Sequence, residues 1–533
     1  MFSIISLFLF LHLSLFSQAQ LTGPVGATTS LSQKTTECNI LTLNPSFNPL
    51  TDDVSIPITN TFTSCVQKHA GSRLIVPAGN YTLQTSIVLS NATNWAFQLD
   101  GLITAVYYAN STGYEVPYVV PRSRILEGFA GVQNLNKYVM LREVLDDKDM
   151  GVEESNSTIN GEGDGKFLQN LIVIINAVDF ELYSSNGLGA IQGQGYLYRI
   201  SGKSVIYLAS SHSLDQYSFL YLTPHPSTNR PRMLRLISPI NTTVHDLLLI
   251  DSPKFHFIFD FAENIEVYHL TIRGANLGSY DGIDAIGTNY WVHDNEVTNR
   301  DECVSVKSPS HNALVENLVC NQVGSGISIG SLNVSAEISN IHARNISVLG
   351  GSEISFIKTY PGGSGYVRNI LWENFRTKAS LYGINLNQYW QQTFTPDSGA
   401  VILSNITFLN YSGSIVNGAI RPALYMLASD YAPATDVTVK NVSVWTESGE
   451  EVRNHISNVF GEGDDVYGVN NGLRVVSEGG DVRTETFTST VTVTRGPVEW
   501  ASPTWPSWAV PTTGYRSNSS LYASAAVETA GRL

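Results

Sequence analysis

Charge is scarce in this 533-residue chain: Asp, Glu, Lys and Arg together make up 14% of it. A chain held open by self-repulsion is excluded, because 43% hydrophobic residues leave ample material for a core. Positive charge is the scarcer sign, with 31 Lys and Arg against 46 Asp and Glu and a formal net charge of −15. That balance argues against a nucleic-acid partner or an anionic membrane surface recruited by a bulk positive field. A polyanion could bind only at a local site. Cysteine is also sparse, with Cys38, Cys65, Cys303 and Cys320 the whole complement. None has the CxxC or Cys/His spacing of a zinc site, and the histidines are scattered without metal-ligand spacing. Four cysteines allow three pairings; Cys38–Cys65 and Cys303–Cys320 would close the short loops, and disulfides are expected. After the amino terminus no run of roughly 18 apolar residues could span a membrane.

Residues 1–19 are apolar, contain no Lys or Arg and end in Ser17-Gln18-Ala19, a small-x-small site. They read as a cleaved secretory signal, so the protein is expected to be secreted and extracellular. Asn-x-Ser/Thr sequons, among them Asn80, Asn91, Asn241, Asn345, Asn405, Asn410 and Asn441, fit a glycoprotein, although Asn-rich turns also generate sequons by chance. From about residue 480 the chain is rich in Thr, Ser and Pro and is expected to be a mobile tail. Residues 461–533 form a C-terminal extension around that tail.

Between about 170 and 450 helical periodicity is nearly absent. Short β-branched runs recur instead, each followed by Asn, Gly, Asp or Ser. With Val244, Ile265, Val292, Val315, Ile341 and Val367 as equivalent positions, the steps are 21, 27, 23, 26 and 26 residues. Repeats of that length made of strands and turns predict a parallel β-helix over 20–460 rather than a hairpin-built sandwich. Residues 108–168, with Asp146-Asp147-Lys148-Asp149 and Glu153-Glu154, read as an acidic surface insertion between coils. A solenoid carries a long groove outside its sheets, which suits an extended polymer.

The chemistry concentrates between 278 and 307. Asp281 and Asp301 are 20 residues apart, close to one coil, and Glu302 follows at once. Turns on neighbouring coils stack at the 4.7–4.9 Å strand spacing, so three acids should converge on one patch. Asp260, 21 residues before Asp281, would extend the column. Stacked carboxylates repel, and one of them should hold its proton, which supplies the acid and base that glycosidic hydrolysis needs. Neighbouring coils could satisfy either the 6.5–9.5 Å carboxyl separation of inverting enzymes or the 5–5.5 Å of retaining ones. Against this, Asp at turns commonly caps backbone amides, and consecutive Asp301 and Glu302 would face opposite sides of an ideal strand unless the chain bends.

Several ordered motifs resemble the pectin-hydrolysing polygalacturonase family, and most closely its rhamnogalacturonan hydrolase branch. They are Gly189-Ala-Ile-Gln-Gly-Gln-Gly195, Ser279-Tyr-Asp281-Gly-Ile-Asp284, Asn299-Arg-Asp-Glu-Cys303, Gly324-Ser-Gly-Ile-Ser-Ile-Gly-Ser331, Ile357-Lys358, Gly362-Gly-Ser-Gly365 and Asn387-Gln-Tyr389. The resemblance implies a right-handed parallel β-helix that hydrolyses a pectic polysaccharide with inversion, without metal or other cofactor, as a monomer. By it Asp301 resembles the general acid, Asp281 and Glu302 the pair that positions and deprotonates water, and Lys358 and Tyr389 substrate-binding residues. Departures are informative. Ser325 stands where the family pattern has His, and Phe356 where it has Arg. Losing the arginine removes a bidentate partner for a uronate carboxylate and losing the histidine removes a polar group beside the acid; both changes fit rhamnose on the leaving side, and Ser325 and Asp260 are further expected substrate contacts. A homogalacturonan hydrolase, a Ca²⁺-assisted uronan lyase and a non-catalytic binding β-helix are the competing readings.

Overall fold

A computed structural model describes residues 21–108, 115–117, 167–200, 230–274, 280–392, 398–416, 422–446, 452–463 and 486–491. The expected signal, nearly all of the 108–168 insertion and most of the tail lie outside them. Among the described residues the chain winds into a parallel β-helix. Strand after strand hydrogen-bonds in parallel to its counterpart one coil later.

The strands that carry the site are β1 (Phe257–Tyr268), β2 (Ile283–His293), β3 (Val304–Asn321), β4 (Ser325–Leu332) and β5 (Glu353–Thr359). Alternation drives their inner faces together. Val267, Val292, Val315 and Ala343 stack in register and are fully buried, as are Ile265, Tyr290 and Ala313 two positions earlier. The register corrects the sequence alignment: Val244 pairs with Val267 and Val315 with Ala343, so Ile265 and Ile341 stand two residues off the column, and Val367, which pairs with Ile338, stands further off. A shift of two keeps a side chain on the same face, and the inward pattern therefore survived the error.

The corners are asparagine. Asn312, Asn340, Asn369 and Asn405 take positive φ, near 55°, and the side-chain amide of each of the last three donates to the side-chain carbonyl oxygen of the Asn one coil earlier, at 2.9 Å throughout. A second ladder runs through Asn317, Asn345, Asn374, Asn410 and Asn441. The sequons at Asn345, Asn405, Asn410 and Asn441 are rungs of these ladders.

The amino-terminal end of the solenoid is closed by an α-helix, Ser55–Ser64, whose Ile58 and Phe62 are buried and whose Phe62 meets Trp95 edge-on at 5.1 Å. The Cys38–Cys65 disulfide ties it to the first coil. Sequence periodicity did not reveal this helix, because its Thr-rich, Pro-containing text has low helix propensity and only the exposed end of the sheet favours it. At the other end Thr486–Val491 pairs antiparallel with Val452–Ser457. That short strand corrects the reading of the tail: Phe487-Thr-Ser-Thr-Val491 has β-propensity, and an open sheet edge was available.

Candidate active site

Between Thr298 and Val304 the chain leaves strand geometry, which lets consecutive acids face the same way. Asn299 organises the bend. Its amide donates to the carbonyl oxygens of Tyr280 (2.7 Å) and Glu302 (3.1 Å), and its Oδ1 accepts from the Asp301 N–H at 3.1 Å. The Glu302 N–H turns back to Asp301 Oδ1 at 3.1 Å. From the next coil, the Gly324 N–H donates to the Asp301 carbonyl oxygen, and a Cβ on Gly324 would lie 3.0 Å from the Asp301 backbone. The Cys303–Cys320 disulfide fixes the far side of the turn.

Register then stacks the coils. Ile283 pairs with Val304 and Val304 with Ile327, and the Gly282 N–H donates to the Glu302 carbonyl oxygen at 2.8 Å. Asp281 therefore sits over Glu302, with Asp301 one residue aside. One oxygen from each of Asp281, Asp301 and Glu302 lies within 4.8 Å of those of the other two.

Two lysines enter the cluster. The Lys358 ammonium pairs with Glu302 Oε1, and Lys307 Nζ lies 3.6 Å from Asp281 Oδ2 and 3.7 Å from Asp284 Oδ1. Lys358 is also held over the rings of Trp390 (5.0 Å) and Phe356 (5.4 Å). Burial and the neighbouring charges of Asp281 and Glu302 push the Asp301 carboxyl well above the ordinary carboxylate range. Burial would raise Glu302 too, but the Lys358 ammonium, the Asp301 hydrogen bond and Lys307 outweigh it and hold that carboxyl well below the range. The cluster thus presents one protonated and one ionised carboxyl side by side. A divalent cation at these three oxygens would have to displace two ammonium groups already seated there.

The other expected site residues fall in different places. Asp260 does not extend the column: the register puts Phe255 beneath Asp281, and Asp260 forms a buried ion pair with Arg235 at 2.5 Å. Ser325 stacks on Glu302 but is fully buried, its hydroxyl without a hydrogen-bond partner among the described residues. Tyr389 lies one coil beyond Lys358, half-buried, and its hydroxyl accepts from the Asp430 N–H at 2.8 Å. His256 is a wall residue. Its Nε2 accepts from the Ser252 N–H (3.3 Å), which leaves Nδ1 to donate to the Asp281 carbonyl oxygen at 3.0 Å. The sequence reading assigned no role to Lys307, Asp284 or Trp390. For the first the signal was present: in Val304-Ser-Val-Lys307 strict alternation places Lys307 outward with Ser305, beside the turn that carries the acids.

Comparison with known proteins agrees with this architecture. The chain is 33% identical over 489 residues to the probable rhamnogalacturonase E of Aspergillus flavus, covering 91% of this chain and 87% of that protein. It is 34% identical to rhamnogalacturonase A of Aspergillus aculeatus, over 83% of this chain and 81% of the relative. Among solved structures, the endo-xylogalacturonan hydrolase of Aspergillus tubingensis superposes with a TM-score of 0.51 at 17% identity, covering 75% of this chain and 91% of its own. An exopolygalacturonase of Thermotoga maritima gives 0.51 at 14% identity, over 89% and 97%. Both support the fold. The family model described as glycosyl hydrolases family 28 matches residues 130–463, and the chain belongs to that family of glycoside hydrolases.

Proposed function

We propose that this protein is a secreted hydrolase that cuts the galacturonate-to-rhamnose linkage of the rhamnogalacturonan backbone of pectin. The observation that carries the catalytic part is the gathering of Asp281, Asp301 and Glu302 at one turn with the Lys358 ammonium paired to Glu302, an environment that favours the proton on Asp301 and the charge on Glu302. Asp301 donates that proton to the departing glycosidic oxygen as the bond to the anomeric carbon breaks. The carboxylates of Asp281 and Glu302 orient a water and take its proton while its oxygen bonds to the anomeric carbon. Lys358 keeps Glu302 ionised and, with Tyr389, faces the substrate.

For the polymer, support comes from the curated relatives named rhamnogalacturonases and from Phe356 standing where the family pattern has an arginine for a uronate. Export is supported by the apolar residues 1–19 and by two disulfides, which persist in oxidising compartments. Purified protein incubated with rhamnogalacturonan and with homogalacturonan should release reducing ends from the first, with galacturonate at the new end. Proton NMR during the first minutes should show that end in the inverted anomeric configuration. Unsaturated, ultraviolet-absorbing ends would show elimination instead, and preferential cutting of homogalacturonan would refute the substrate.

A further inference from the structure

The carboxyls around the catalytic turn number four rather than three. Asp284, on β2, is buried against Asp281, and its Oδ1, without a hydrogen-bond partner among the described residues, lies 3.7 Å from Lys307 Nζ. Lys307, on β3, leans back over the same two groups and is anchored by donating to the Gly330 carbonyl oxygen at 3.0 Å. The cluster is then two similar halves. In one, Asp301 hydrogen-bonds to Glu302 and Lys358 pairs with Glu302. In the other, Asp284 lies beside Asp281 and Lys307 approaches both.

We propose that Asp284 and Lys307 are positioning residues for Asp281: Asp284 donates a hydrogen bond to the Asp281 carboxylate, and the Lys307 ammonium holds that carboxylate in the orientation that grips the attacking water. This rests on the reading of Asp281 as a water-activating residue. A hydrogen bond between two carboxyls needs one proton, and Asp284 is the partner that carries it. Burial, the Asp281 charge and the more distant Glu302 all push its carboxyl up, against the opposing pull of Lys307. On the other side of β2, Ile258 of strand β1 lies beside Asp284 in register, Asp260 pairs with Arg235, and the His256 ring meets the Ser252 N–H and the Asp281 carbonyl oxygen. Two shared protons on four carboxyls leave two negative charges for two ammonium groups, so the buried cluster is electrically balanced. Asp284 does not reach the substrate; it sets the angle and charge of the residue that acts.

The test uses the full-length enzyme on rhamnogalacturonan. Asp284→Asn keeps a donor and should retain kcat within about tenfold, whereas Asp284→Ala and Lys307→Met should each lose on the order of a hundredfold in kcat, the scale of a misplaced catalytic group, with KM nearly unchanged. In Lys307→Met the acid limb of the kcat profile should also move to higher pH, since Glu302 loses a neighbouring charge that favours its ionised form. An Asp284→Asn variant as inactive as Asp281→Asn would overturn the proposal, because Asp284 would then be transferring a proton itself. So would an Asp284→Ala variant with wild-type turnover and pH profile. If the wild-type protein leaves rhamnogalacturonan uncut, the substrate reading has failed, and infrared spectroscopy still decides this one: at neutral pH the protonated-carboxyl band should weaken in Asp284→Asn and, separately, in Asp301→Asn. No loss in Asp284→Asn would refute it.

Discussion

At the scale of single residues, activity should depend on two carboxyls whose acidities have been driven apart. In the proposed mechanism Asp301 acts protonated, so kcat should fall on the alkaline side as pH rises through its raised pKa, and Glu302 acts ionised, so the limb it governs lies at strongly acid pH. Asp301→Asn cannot donate the leaving-group proton and should lose about 10²–10⁴-fold in kcat with polymer binding intact, measured by reducing-end assay and calorimetry. Lys358→Met should bring the Glu302 limb up in pH and lower kcat, since burial would then act on Glu302 with its main counter-charge gone; an unchanged profile would show that Lys358 does not set that acidity. The acids themselves were legible in the sequence through their spacing. Lys307 and Asp284 lie in the same stretch of sequence but have no visible role there, because their contacts cross between coils.

Among the elements, the bend at Asn299–Cys303 matters most. Consecutive acids can share one face only because side-chain amides and the neighbouring glycines hold the backbone out of a strand. Its disulfide closes a separation of 17 residues, which in the chain-entropy account contributes about 3 kcal/mol. Replacing Cys303 and Cys320 together with Ser should lower the melting temperature and, more tellingly, reduce kcat while KM changes little, since Glu302 precedes the bond directly. Equal losses from removing Cys38 and Cys65 would assign the effect to general stability. The bend was raised from the sequence only as a condition that the catalytic reading required. Local text there does not distinguish a turn that caps itself from one tied down by Tyr280, Gly324 and a distant sulfur.

For the whole molecule, stability is a sum over neighbouring coils rather than the property of one central core. One visible link is the outer-face stack of Tyr183, His245, Tyr268 and His293, with adjacent rings 4.8–5.5 Å apart. Burial would lower the His245 pKa, but its hydrogen bonds to Asp246 and Glu181 outweigh that and raise it to about 9. The stabilisation it contributes is therefore whole below the ordinary value of 6.5 and is lost as pH rises through about 9. Melting temperature should decline across that window, and His245→Asn should start lower and decline less; parallel curves would rule the histidine out as the cause.

Composition, the coil-length repeat and the alternation of β-branched residues were enough to give the parallel β-helix, because each coil buries its inward face by a local rule that recurs along the chain. The spacing of Asp281, Asp301 and Glu302 indicated for the same reason that the three acids share one patch. What only the tertiary structure decided was the register of one coil on the next: it put Glu302 under Asp281, sent Asp260 to Arg235, buried Ser325, and brought Lys307 and Lys358 among the acids. Register is a cooperative outcome of bulges, corner asparagines and core volumes over many coils, and a displacement of two residues leaves the sequence pattern of any one strand unchanged.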